Sequence, residues 1–153
     1  RGLAPLAIGM GPGFVAGENA DIVIETAWGE ALGQDIRSGA ARAYSGAPRS
    51  LGGHGRERYV YAAAAGEFRT DRAIGDRVSA GEVVAHVGQS DVAAPLAGIL
   101  RGLTHDGAQV AAGAKVIEVD PRGDPAEAFG IAERPARIAS GIMEATSTIS
   151  DDD

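Results

Sequence analysis

The stretch HVGQSDVAAPLAGIL, His86 to Leu100, decides the fold. It closes the valine-rich run VVAHV, turns through a polar tip near Gly88–Asp91, and resumes as a second apolar run ending at Ala-Pro-Leu-Ala-Gly. Two β-like runs joined by a short Gly-containing tip predict a hairpin. Outward from this hairpin the chain repeats itself. An offset of 32 residues lays Ala62–Val87 on Ala94–Val119, matching Ala62 with Ala94, Gly66 with Gly98 and Arg69 with Arg101. It also matches Gly75 with Gly107, Val78 with Val110, Gly81 with Gly113, Val84 with Val116 and Val87 with Val119. Each copy carries V-x-A-G-x-x-V-x-x-V, which suits a strand, a tight turn at the glycine and a second strand. One copy is too small to cover its own apolar face, so the two halves are expected to close over each other.

Composition narrows the rest. With 153 residues the chain is about one domain long, and its 23 glycines and abundant alanine predict short strands and tight turns. A net charge of −7 argues against nucleic acid or an anionic membrane as the main partner. Cysteine is absent, which excludes disulfides, thiolate metal sites and cysteine nucleophiles. No apolar run approaches a membrane span and nothing resembles a signal peptide, so a cytoplasmic protein is expected.

Three segments are expected. Residues 1–57 read as a small α/β segment, the end of an N-terminal domain whose earlier part is missing, since the chain opens RGLAPLAIGM without an initiator Met. In it, Leu3 to Met10 and Ala20 to Ala27 predict strands, and Trp28 to Ile36 one or two helical turns, weakened by Gly29 and Gly33. Residues 37–56 predict loop, with at most one strand near Ala41 to Tyr44. Residues 58–121 hold the repeat. Residues 122–153 read as a linker, a C-terminal helix opening near Pro135 with Ile138 and Ile142 on one face, and a frayed tail.

The doubled half with Ala-Pro-x-x-Gly between its copies resembles the barrel-sandwich hybrid of biotinyl and lipoyl domains. That resemblance implies two small sheets related by an approximate twofold; with the small N-terminal α/β segment before them and the C-terminal helix after, the fold is expected to be mainly β. Carrier domains of this kind hold their cofactor on a tip lysine. Here the tip reads VGQSDV, and the sole lysine, Lys115, stands in the second copy at the position equivalent to Val83. No carrier lysine and no covalently attached cofactor are therefore expected. A second resemblance spans residues 4–145 through IGMGPGFVAGENADIVIETA, the ERYVYAAAAGEF entry, AGILRGLTHDGAQVAAGAKVIEVDPRG and ARIASGIMEA. The chain is similar to the C-terminal half of accessory proteins of the selenium-dependent molybdenum hydroxylase system. Val15 stands where that family carries Thr, and Trp28 and Glu30 where it carries Arg and His. The resemblance implies maturation of a xanthine-dehydrogenase-like enzyme by binding the apo-enzyme, a nucleotide or the molybdenum cofactor. Two alternatives stay open: a nucleotide-dependent transferase acting on that cofactor with a site shared with the missing half, and a structural interaction module.

The candidate ligand site is Gly11, Gly13, Phe14, Gly17, Glu25 and Thr26. Three glycines near a carboxylate and a hydroxyl at a strand end could hold an anion through their amides, while Glu25 accepts a hydroxyl or an exocyclic amine. A dinucleotide loop is disfavoured, because a strand rather than a helix follows and Pro12 removes one amide donor. Against the site stands a plainer reading: GMGPGF as a tight crossover, and Glu25 as a cap or the partner of a nearby Arg. His54, His86 and His105 are too far apart in sequence for a local metal signature, and no metal site or catalytic residue is assigned.

Overall fold

The computed structural model describes residues 4–43, 46 and 49–147. Mainly β with one C-terminal α-helix, the chain divides into two compact units. One comprises Arg1–Ala47 with Ile131–Asp153, the other Pro48–Gly130. The first unit is thus discontinuous. Its division points fall after 47 and 130, where the sequence suggested 57 and 121, and the C-terminal helix packs with the N-terminal segment.

In the first unit, β1 (Ile8–Met10) pairs in parallel with β3 (Ile22–Ile24), which pairs antiparallel with β4 (Asp35–Ile36). β2 (Val15–Ala16) and β5 (Gly39–Ala40) form a separate ribbon. Along β3 the side chains alternate. Val23 packs with Ala16, Ala20 and Ala41, while Ile22 and Ile24 pack with Ile138, Ile142 and Ala145 of α1 (Glu133–Ser147). The helix comes so close that the Gly33 carbonyl occupies the place a Cβ would take on Gly141. The helical turns expected over Trp28 to Ile36 are absent. Gly29 and Gly33 both have positive φ, which breaks the run into turns before β4. The strand near Ala41 to Tyr44 is displaced to β5, at Gly39–Ala40; Tyr44 itself, like Leu3 and most of the tail, lies outside the described residues.

The second unit contains β6 (Tyr59–Tyr61), β7 (Gly66–Arg69), β8 (Arg77–Val78), β9 (Val83–Val87), β10 (Ser90–Ala93), β11 (Gly98–Leu103), β12 (Gln109–Val110) and β13 (Lys115–Asp120). They form two four-stranded sheets, in the orders β10-β9-β7-β12 and β6-β13-β11-β8. The 32-residue offset carries β6 to β10, β7 to β11, β8 to β12 and β9 to β13, so it turns each sheet into the other. Register follows. Val92 faces Ala85 as Val60 faces Ile117, and both pairs of strands skip one residue, Val84 in one and Val116 in the other. The core is built from equivalent positions as well: Phe68 with Leu100, Val87 with Val119, Val84 with Val116 and Ala62 with Ala94.

Gly81 donates its amide to the Ala94 carbonyl at 2.8 Å, and Gly113 to that of Ala62 at 2.8 Å. Their φ values are +80° and +79°. A Cβ at either would meet nothing within 4 Å, so the demand for glycine is conformational alone. Gly81→Val and Gly113→Val are each expected to cost about 1–3 kcal/mol, since a β-branched residue is an outlier at positive φ. Denaturant melts should show similar losses at both sites, and a wild-type midpoint in either variant would break their equivalence.

Candidate functional site

At the carboxyl end of the β1–β3 pair, four of the sequence-derived candidates converge. Gly11 donates to the Ile24 carbonyl at 3.0 Å and lies against the Thr26 side chain, leaving no room for a Cβ. Phe14 folds back over Gly9. Glu25 continues from β3, its side chain 3% exposed. Gly13 sits at the turn, where its carbonyl accepts from Asn19 Nδ2 at 2.9 Å and Asn19 Oδ1 accepts from Val15 N at 2.8 Å. Gly17 is elsewhere: it donates to Ala20 at 2.9 Å, before the start of β3. The amides of Gly11 and Gly17 are therefore spent on main-chain carbonyls, which leaves little of an anion cradle.

Glu25 is well supplied with donors. Oε1 accepts from Ala27 N at 2.8 Å, and Oε2 from Arg42 N at 3.0 Å and Arg42 Nε at 3.3 Å. Burial pushes its pKa up, but these donors outweigh burial and hold it below the usual value. A carboxylate whose lone pairs are taken by such donors is a weaker base than a free one. It ties the strand end to residue 42, and nearby Arg134 Nε of α1 bonds the Thr26 carbonyl at 2.8 Å. Sequence reasoning named neither arginine, because the partners lie 17 and 108 residues away. Met10, Phe14 and Trp28 are exposed around this strand end, at 55%, 39% and 38%.

The second unit offers different chemistry. The β9–β10 tip is a Gly88–Gln89 turn without an amine, and Lys115 Nζ is held by Glu118 at 2.9 Å, over the Tyr59 ring. Each histidine has its own local contact: His54 with Glu57, His86 Nδ1 with Asp91 at 3.0 Å, and His105 Nδ1 with the Asp106 carbonyl at 2.7 Å. Among the described residues no cluster of three or more His, Asp and Glu could hold a metal ion. A groove of ≈ 540 Å³ runs along β9, walled by residues 69–72 and Asp106. Nothing in the sequence reading pointed to it. No helix among the described residues is long and apolar enough to cross a membrane.

No protein-family model matches the chain. It is 41% identical over 143 residues to a protein of Escherichia coli (strain K12), the uncharacterized protein YqeB, matching 94% of this chain and 26% of that protein. The chain thus spans about a quarter of that relative's length. Among solved structures it is similar to the product-bound ectoine utilization protein EutE (DoeB) from Ruegeria pomeroyi, at 25% identity and a TM-score of 0.37. That match covers 42% of this chain and 22% of the other.

Proposed function

We propose that this chain is part of a cytoplasmic accessory protein that matures a molybdenum hydroxylase of the xanthine-dehydrogenase-like, selenium-dependent kind, and that it works by binding rather than by catalysis. The motif combination GPGF, IET and the doubled V-x-A-G supports the family. In the same reading the second unit is a barrel-sandwich hybrid, and the exchange of strands between its two sheets supports that type. The observation that favours binding over proton transfer is the state of Glu25. The buried carboxylate at the strand end is saturated by Ala27 and Arg42, which suits a structural tie and not a proton carrier. The apo-enzyme is the proposed partner, with nucleotide or molybdenum cofactor as ligand and none covalently attached.

A transferase sharing its site with a further segment is the second reading. It is favoured by the exposure of Met10, Phe14 and Trp28 at the carboxyl end of parallel strands, the end where α/β sheets take ligands.

Gene deletion in a bacterium with a selenium-dependent molybdenum hydroxylase tests the maturation role. The hydroxylase polypeptide is expected to accumulate inactive, with activity restored by the full-length gene and other molybdenum enzymes untouched. Full hydroxylase activity in the deletion strain would overturn the proposal.

A further inference from the structure

Two arginines reach the end of β3, and neither spends its whole guanidinium there. The peptide between Thr26 and Ala27 is tied at both of its polar atoms. Its N–H goes to Glu25 Oε1 at 2.8 Å, and its carbonyl accepts from Arg134 Nε at 2.8 Å. Glu25 Oε2 in turn accepts from Arg42 Nε at 3.3 Å. A trans peptide points its N–H and its carbonyl in opposite directions, so the two guanidiniums are anchored on opposite sides of one peptide unit. Among the described residues, Nη1 and Nη2 of both arginines have no hydrogen-bond or ion-pair partner. Those of Arg42 lie over Gly29, 3.8 and 3.7 Å from where its Cβ would stand. Thr26 Oγ1 is a further donor without a partner. The residue is 9% exposed and its hydroxyl lies against Gly11, yet no buried side-chain polar atom is left unpaired, so the hydroxyl still reaches solvent.

These groups share one chemical demand. Guanidiniums only donate, and a hydroxyl beside them can donate too, so the complement is a ligand of acceptors alone. Its charge follows from the local balance. Glu25 offsets Arg42, whereas Arg134 has no carboxylate partner among the described residues. Of the neighbouring acids, Glu133 lies 3.9 Å from Arg137, whose Nη2 also donates to the Glu30 carbonyl at 3.1 Å. An anion is therefore favoured. A guanidinium fork matches a pair of phosphate oxygens, and a tetrahedral phosphate has oxygens for donors on two sides at once. A carboxylate has only two oxygens, in one plane. The glycine amides of this strand end are spent, so side chains from β3, from residue 42 and from α1 make the cradle. Met10, Phe14 and Trp28 are exposed around it and give an ester's organic group apolar surface.

We propose that the end of β3 binds a phosphate group, free or as a monoester, between the guanidiniums of Arg42 and Arg134, with Thr26 Oγ1 donating a further hydrogen bond. The site rests on the reading of this strand end as a place for a ligand. It does not depend on which enzyme the protein serves. Loss of hydroxylase activity on gene deletion without phosphate binding would sink the site alone, and phosphate binding with full activity in the deletion strain would sink maturation alone.

Calorimetric titration of the full chain with inorganic phosphate, phenyl phosphate and acetate tests it, with fluorescence of Trp28, the sole tryptophan, as a second readout. Phosphate or phenyl phosphate is expected to bind, the tighter of the two naming the source, with acetate weaker by about tenfold or more. Arg134→Met keeps the stem and removes the fork, and should weaken binding by about tenfold or more. Thr26→Val keeps the shape, breaks no hydrogen bond and should weaken it about threefold, which keeps the test open should Arg134→Met fail to fold. Arg137→Met removes the same charge one turn along α1 and should leave affinity within about twofold. Absence of phosphate and phenyl phosphate binding at millimolar concentrations would overturn the proposal. So would equal affinity for acetate, wild-type affinity in Arg134→Met or Thr26→Val, or an equal loss in Arg137→Met.

Discussion

Phe68→Ala is expected to destabilise the second unit by about 3–5 kcal/mol, and Leu100→Ala by about 2–5 kcal/mol. Both side chains are fully buried, at 0% exposure, and they occupy equivalent positions in the two sheets. Truncating either removes apolar contact and leaves a cavity that rigid neighbouring strands cannot collapse into. Either loss is a large part of the roughly 5–15 kcal/mol that holds a domain together. The sole tryptophan, Trp28, belongs to the first unit, so unfolding should be followed by circular dichroism or by amide exchange in residues 59–120. A cost below about 1 kcal/mol at one position, with a large cost at the other, would mean that the two sheets do not share one core.

The second large effect concerns Asp120, whose side chain is 1% exposed at the end of β13. It accepts from Arg122 Nη2 at 2.6 Å, Nε at 3.0 Å and N at 3.1 Å, and from Arg101 Nη1 at 3.1 Å. Arg122 also reaches Glu127 at 3.1 Å, fastening the segment after β13. Asp120→Ala leaves two guanidiniums without their shared anion and is expected to cost about 3 kcal/mol or more. The Arg122 guanidinium holds the Asp120 carboxyl down to about 2, against an ordinary 3.8. A folded-state pKa below the unfolded one stabilises at pH above the unfolded value and is lost as pH falls. The contribution, about 2 kcal/mol, should be complete above pH 4 and vanish between roughly pH 4 and 2. Subtracting the stability of Asp120→Asn from wild type across that window isolates the effect, because other carboxylates cancel. A flat difference would show that Asp120 is not ionised by its arginines.

The repeat was readable in the sequence because its identities fall at turn glycines and inward-facing valines, the positions where backbone and core tolerate least. Strand positions 59–61, 77–78 and 83–87 follow from one half once the other is known. The return of α1 to the first unit was not readable. Ile138 and Ile142 announce an apolar face but not what it faces, and the close approach of Gly141 to Gly33 depends on a loop whose turns arise from two positive-φ glycines. The candidate site was legible in part. Glu25 and Thr26 do end a buried strand beside Gly11, but the tie to Arg42 depends on a chain reversal that carries no local signal. The groove escaped for a different reason. Its walls come from the segment 69–72, from β9 and from Asp106, which are brought together only by the pairing of distant strands.

The exchange of strands between the two sheets has a consequence for how the chain acquires its structure. Residues 59–87 contribute β6 and β8 to one sheet and β7 and β9 to the other, and residues 90–120 do the reverse. Neither length can complete a sheet while the other is still unsynthesised. As the polypeptide leaves the ribosome, Phe68 must wait in solvent until Leu100 and Val119 have emerged. Folding should then occur in one late, all-or-none event, slowed by pairings that are distant in sequence. Conversely, two separate polypeptides carrying residues 58–88 and 89–121 should each be unstructured alone and fold only on meeting.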